Sequence, residues 1–173
     1  VFCERIWGGR NLESFNFSIP QGNIGEAWVI AAHDNGSSKI TNGDLAGLTL
    51  KEAYEKQPSL FTEKVYDKFP LLIKILDASD NLSVQVHPED DYARVNENGE
   101  LGKTECWYVL DAKEGAKLVY GHTAKTKEEF NDKIDREQWQ ELFLEEEVKV
   151  GDFFYIPAGT LHAIGEGILI YEV

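Results

Sequence analysis

Residues 151–162, GDFFYIPAGTLH, set four unusual positions at fixed intervals: Gly151, five residues, Pro157, one residue, Gly159, two residues, His162. The aromatic run 152–155 reads as a strand that must then turn sharply. Pro157 fixes one φ angle, and Gly159 can take a backbone conformation closed to other residues. Such a turn aims the imidazole of His162 inward from the mouth of an apolar strand, where it serves either as a metal ligand or as a satisfied turn residue. The chain has only four histidines, and the others are His33, His87 and His122. His87 closes the stretch LSVQVH, whose alternation puts Ser83, Gln85 and His87 on one strand face and Leu82, Val84 and Val86 on the other. In GKTECWYVLD, Lys103, Glu105 and Trp107 share a parity at the start of a further strand. Glu89, Asp90 and Asp91 follow a proline and read as a solvated turn, so residues 88–102 form an insertion between His87 and Glu105.

Positioning these side chains is the task of a β-rich scaffold. Residues 27–31, 71–76, 82–86, 106–110, 116–120, 152–156 and 168–171 are short apolar runs, mostly bounded by Gly, Asn or Asp. Many short strands with turns between them predict a mainly β sandwich or barrel. Two segments break the rhythm. Thr49-Leu50-Lys51-Glu52 and Thr126-Lys127-Glu128-Glu129 have the Thr-x-x-Glu spacing in which threonine and glutamate cap a helix start reciprocally. The second predicted helix runs to about Glu145, with Phe130, Ile134, Trp139 and Leu142 as an uneven apolar stripe and the charged remainder as a solvated face. No repeat or linker divides the chain, so residues 1–173 are expected to form a single domain, a length sufficient for one buried core.

The formal charge of −14 argues against nucleic acids and anionic bilayers as partners, because both demand clustered Lys and Arg. An anionic ligand would have to be met by a local positive site. No apolar run approaches the ~20 residues of a membrane span, and the reading is a soluble, cytoplasmic protein. Cys3 and Cys106 are too few for a disulfide framework or a Cys-based zinc site and read as reduced thiols. The first residue is Val1 rather than an initiator Met, so the sequence is expected to be part of a longer chain.

The Gly151 to His162 spacing resembles the second motif of the cupin superfamily. Cupins carry an earlier His-x-His pair and a carboxylate; here Gln85 stands in the place of the first histidine, and Glu105 is the better carboxylate candidate. That departure points further. ERIWGG, GEAW, FPLLIKILDA, QVHPED, GKTECWYVLD and GDFFYIPAGTLHAIGEG, six blocks in order over nearly the whole chain, closely resemble the class I mannose-6-phosphate isomerases. The resemblance implies a cupin-type jelly-roll barrel with helical insertions. It also implies one Zn²⁺ held by Gln85, His87, Glu105 and His162. Two imidazoles, a carboxylate and an amide oxygen without thiolate suit zinc with a position left open, although the same donors accept Fe²⁺, Mn²⁺, Co²⁺ or Ni²⁺.

The implied activity is the interconversion of mannose 6-phosphate and fructose 6-phosphate through a metal-stabilised enediol. Lys103 is then the catalytic and substrate-contacting lysine. Trp7 either walls the sugar pocket or packs under a turn at Gly8-Gly9, and Glu26 either contacts substrate or makes a structural hydrogen bond. Trp28 and Trp107 are expected in the core, and His33 and His122 match no ligand position. Members of the family continue into a segment bearing an active-site arginine, which has no counterpart before Val173. Two other readings stand beside the isomerase: an Fe²⁺-dependent cupin oxygenase, for which two histidines and a carboxylate suffice, and a non-catalytic metal- or sugar-binding cupin.

Overall fold

The computed structural model describes residues 1–61, 63 and 66–173. The chain separates into two compact units, Val1–Asp77 with Tyr171–Val173, and Ala78–Ile170. Both are built mainly from antiparallel strands, and no helix among the described residues is long and apolar enough to cross a membrane.

In the first unit, β1 (Phe2–Gly9) pairs with β2 (Ile24–His33), which also carries the two-residue β3 (Gly36–Ser37). Gly8 and Gly25 let β1 and β2 approach closely. A Cβ on Gly8 would lie 2.3 Å from the Gly25 nitrogen, and one on Gly25 would lie 2.5 Å from Cζ3 of Trp7. Helix α1 (Leu50–Lys56) starts where expected: Thr49 Oγ1 accepts from Glu52 N, and the Glu52 carboxylate accepts from Thr49 N. Those two bonds, backbone first, hold the Glu52 carboxyl below its ordinary range. β4 (Leu72–Ala78) pairs with β2, setting Trp28 opposite Lys74. Buried Asp77 accepts from the backbone nitrogen of Asn11 at 2.6 Å and from its amide Nδ2 at 2.9 Å, which ties down the 3-10 turn Asn11–Phe15.

The second unit opens with extended chain. Residues 82–86 form no regular strand, contrary to expectation. Their alternation is instead used in an isolated antiparallel bridge between Gln85 and His162. Helix α2 (Asp90–Asn96) occupies the insertion that the acidic run suggested was a turn, its negative first turn favoured by the helix dipole. β5 (Glu105–Ala112) buries Glu105, Trp107 and Val109 on one face and pairs with β8 (Phe153–Ile156). β6 (Lys117–His122) lies between β7 (Phe143–Glu147) and β9 (His162–Ile164). β10 (Ile168–Glu172) completes the chain's strands.

The helix expected from Thr126 to Glu145 is three elements. α3 (Lys127–Asp135) begins with Thr126 Oγ1 accepting from Glu129 N, while the Glu129 carboxylate reaches the nitrogen of Lys125 rather than that of Thr126. It ends because Glu137 is left-handed, with φ 56°. Short α4 (Trp139–Leu142) buries Leu142 and leaves Trp139 exposed, stacked on Phe143. The acidic run then pairs along β6 as β7, where Lys117 meets Glu145 at 3.2 Å. Tertiary pairing overrides helix propensity here. Trp107 is fully buried as expected, whereas Trp28 is only half-buried.

Candidate metal centre

His162 is fixed by the turn that its sequence announced. Gly159 is left-handed at φ 83°, its N–H donates to the carbonyl of His87 at 2.8 Å, and the chain then enters β9. Gln85 and His162 exchange both backbone hydrogen bonds at 2.9 Å, which places the LSVQVH segment beside the turn. From the other side, the insertion is closed at its base: Lys103 N donates to Pro88 O at 3.1 Å, and Gly102 N donates to the Asp90 carboxylate at 2.8 Å. That closure sets Lys103 and Glu105 next to His87.

His87, Glu105 and His162 consequently converge, each offering one donor atom, with all three atoms within 4.8 Å of one another. His87 Nε2 is 3.6 Å from Glu105 Oε2, and His162 Nε2 is 3.3 Å from Glu105 Oε1. His162 Nδ1 lies 2.8 Å from the Thr160 carbonyl, which can only accept, so that nitrogen carries the proton and Nε2 keeps its lone pair. Trp107 packs edge-on against the same ring at 5.4 Å. Glu105 Oε1 and His162 Nε2 are buried and make no hydrogen bond, while the equally buried Glu105 Oε2 meets the Lys103 ammonium. Leaving such groups without compensation costs roughly 1–3 kcal/mol each, and more where charge is involved. The donor set therefore fits a divalent cation: two imidazole nitrogens and a carboxylate, with His87 half-buried on the open side.

Lys103 supplies part of the compensating charge. Its ammonium contacts Glu105 Oε2 and lies 3.5 Å from His87 Nε2, as the shared parity of Lys103 and Glu105 suggested. Gln85 is exposed, and its backbone rather than its carboxamide is what joins it to His162. A cleft of about 540 Å³ opens over His87, lined also by Pro88, Tyr92, Glu97 and Gly159. Tyr92 and Glu97 were missed because the insertion read as a solvated turn. Thr160 was missed because a backbone carbonyl leaves no mark in sequence.

The remaining candidates other than His122 belong to the first unit. Gly8 and Gly9 end a strand rather than form a turn, and half-buried Trp7 lies over Gly25. Glu26 is buried, accepting from Arg5 Nε at 3.1 Å and from Trp28 Nε1 at 2.6 Å, so it makes structural hydrogen bonds. Burial first, and the Glu26 charge second, push the neighbouring Cys3 thiol up. His33 accepts from Asn35 N at 3.1 Å, and the ring of His122 packs on Phe130. Neither is part of the three-donor cluster.

Comparison with known proteins identifies the scaffold. The family model described as phosphomannose isomerase type I, catalytic domain, matches residues 1–110. The chain belongs to that family. Mannose-6-phosphate isomerase ManA of Bacillus subtilis is 55% identical over 99% of this chain and 55% of its own length. A mannose-6-phosphate isomerase of Streptococcus mutans is 52% identical over 98% of this chain and 54% of its own. The crystal structure of the mannose 6-phosphate isomerase from Bacillus subtilis superposes with a TM-score of 0.96 at 48% identity, covering 99% of this chain and 55% of that one. A putative mannosephosphate isomerase from Archaeoglobus fulgidus gives 0.82 at 29% identity, covering 99% and 57%. The chain thus spans about half the length of the curated relatives it matches. The expected fold class, mainly β and of the cupin type, is the one these phosphomannose isomerases have.

Proposed function

We propose that the protein interconverts mannose 6-phosphate and fructose 6-phosphate at the His87, Glu105 and His162 centre, with zinc as the metal and Gln85 as a fourth donor. The observation that carries this reading is the convergence of two imidazoles and a carboxylate, with Glu105 Oε1 and His162 Nε2 buried and without a hydrogen bond, in a chain of this family. The reaction moves the carbonyl between C1 and C2 through an enediolate. His87, Glu105 and His162 would hold a divalent metal there, which would supply Lewis acidity toward the sugar oxygens and offset the developing negative charge.

The chain's own groups do the rest. Glu105 and the two imidazoles hold their donor atoms in place before any ligand arrives, because the strand pairing and the Thr160 bond fix them. Lys103 is the catalytic residue in this reading. Its ammonium, anchored on Glu105, hydrogen-bonds the sugar oxygens on which charge accumulates. Pro88, Tyr92 and Glu97 wall the cleft in which the sugar lies. Trp7 and Glu26, whose contacts lie within the first unit, are assigned no step. The partner is a small sugar phosphate rather than a nucleic acid or a bilayer, in keeping with the −14 charge. The compartment is the cytoplasm, in keeping with Cys3 and Cys106 as free thiols.

The test is turnover of mannose 6-phosphate, read as fructose 6-phosphate in a coupled assay, with metal content measured in parallel. Chelation should abolish turnover and added zinc should restore it. Lys103→Ala should leave metal content intact while lowering turnover about 10²-fold or more, the usual loss for one positioned charge-stabilising group. Turnover insensitive to chelation would defeat the metal-centre reading, and wild-type turnover in Lys103→Ala would defeat the lysine assignment.

A further inference from the structure

The cleft over His87 is lined by two carboxylates, Glu89 and Glu97, and by no lysine or arginine. Helix α2 carries both, Glu89 as its N-cap and Glu97 as its C-cap. The aspartates of that helix are engaged: Asp90 accepts from Gly102 N at 2.8 Å, and Asp91 pairs with Arg94 at 3.2 Å. Among the described residues, the side chains of Glu89 and Glu97 make neither a hydrogen bond nor an ion pair, and Glu89 does not cap the helix with its carboxylate. Both are exposed.

Nothing local calls for a carboxylate at position 97. A helix C-terminus carries partial negative charge, so a cation is favoured there and a glutamate is not. Such a conflict between residue and element is expected where a side chain serves a site rather than the fold. The basic side chains of the region stand elsewhere. His122, Lys125 and Lys127 line an adjoining basic cleft of about 410 Å³, which shares Val86 and Gly159 with this one. Lys103, next to His87, has its ammonium against Glu105 and does not line the cleft.

Charge at the centre itself runs the other way. His87 and His162 are neutral as donors and Glu105 brings one negative charge, so a divalent cation held among them leaves the centre positive, and Lys103 adds to that. A phosphate dianion would be drawn to such a centre and would compete for the open position on the metal. For a hexose 6-phosphate that is the wrong end, because the carbons between which the carbonyl moves lie at the other. Two carboxylates in the cleft repel the dianion, yet they accept hydrogen bonds from hydroxyls.

We propose that Glu89 and Glu97 are specificity-determining residues, which admit the uncharged, hydroxyl-bearing end of a sugar phosphate to the metal donors and turn phosphate groups away. The inference rests on the isomerase reading for the ligand, and on the cleft and its charges for the selection. The same pair rejects a sugar bisphosphate, which has a dianion at either end and no uncharged end to present.

The experiment uses the cobalt-loaded protein at about pH 8, since this donor set also accepts Co²⁺, whose visible absorption reports ligands that reach the metal. Inorganic phosphate and neutral imidazole are titrated into wild type, Glu89→Gln/Glu97→Gln and Glu89→Asp/Glu97→Asp, with metal content and circular dichroism recorded for each. Neither glutamate side chain holds a structural bond, so folding is not at stake. Removing two exposed charges that face a dianion should raise phosphate affinity at the metal about five- to tenfold in the glutamine pair and leave imidazole affinity unchanged. The aspartate pair should stay within about threefold of wild type, because it keeps the charge. The gap between wild type and the glutamine pair should shrink at high salt, as exposed charges are screened. Equal phosphate affinity in wild type and the glutamine pair overturns the proposal. So does a gain shared by imidazole, which would show a wider cleft rather than a removed charge, or a gain that high salt does not reduce. A wild type without cobalt absorption overturns the metal reading, and the proposal with it, so the two failures are told apart by the spectrum of the wild type alone.

Discussion

His162 is held from both sides of its ring, by the Thr160 carbonyl at Nδ1 and by the Trp107 edge, with Nε2 turned toward Glu105. The ring has one free lone pair and one orientation, which is what a metal ligand requires. His122 lies on the rim of the basic cleft instead, packed on Phe130. His162→Ala should therefore lower zinc affinity by more than the ~10- to 100-fold that loss of an outer partner costs, whereas His122→Ala should leave it unchanged. Metal titration with a competing chelator measures both. Equal losses in the two variants would sink the assignment. At this scale the sequence was informative, because the residues that bear donors sit in patterns of short range: a Pro and Gly turn before His162, and parity between Lys103 and Glu105. Glu26 shows the limit, since nothing local announced that Arg5 and Trp28 would take up its carboxylate.

The insertion 88–102 matters at the scale of elements, because its closure brings a strand-borne glutamate beside a histidine that precedes it by a whole helix. Gly102 is the tight point. A Cβ there would lie 2.5 Å from Asp90 N and 2.6 Å from Pro88 O, both backbone atoms that cannot swing away. Gly102→Ala must push α2 and the Lys103 to Pro88 bond apart. The expected result is a loss of about 1–3 kcal/mol in stability together with weaker zinc binding, measured by denaturant unfolding of the apo protein and by metal titration. Full zinc affinity in that variant would show that the closure does not position the centre. Caps were legible at this scale: Thr49 and Thr126 both accept from the backbone nitrogen three residues on. The end of α3 was not, because Glu137 adopts φ 56° with no glycine to signal it, and the acidic residues after it are drawn into pairing with β6.

Across the whole molecule, the candidate metal centre gathers donors from extended chain, from β5 and from β9, so metal binding should stabilise the fold that assembles them. Zinc at about 100 times its dissociation constant should add about 2.7 kcal/mol, seen as a raised Tm, and should slow amide exchange in β5 and β9. A Tm unmoved by zinc or by chelator would mean that the donors do not close on a metal. The sequence by itself determined the family, the mainly β class, both helix starts and the identities of the clustered donors. Each of these is written in residue type and in spacing of a few residues, where φ restrictions, side-chain alternation and capping act. Only the tertiary structure decided that 82–86 bridges to His162 rather than forming a regular strand, that 143–147 is a strand, and that Tyr92 walls the cleft. It alone also brought Val86, His122, Lys125, Lys127 and Gly159 to one basic cleft. Those outcomes depend on which distant backbone groups find each other and on which charges are left without a partner. No local period encodes such long-range pairing, because its free energy belongs to the packed assembly and not to any one segment.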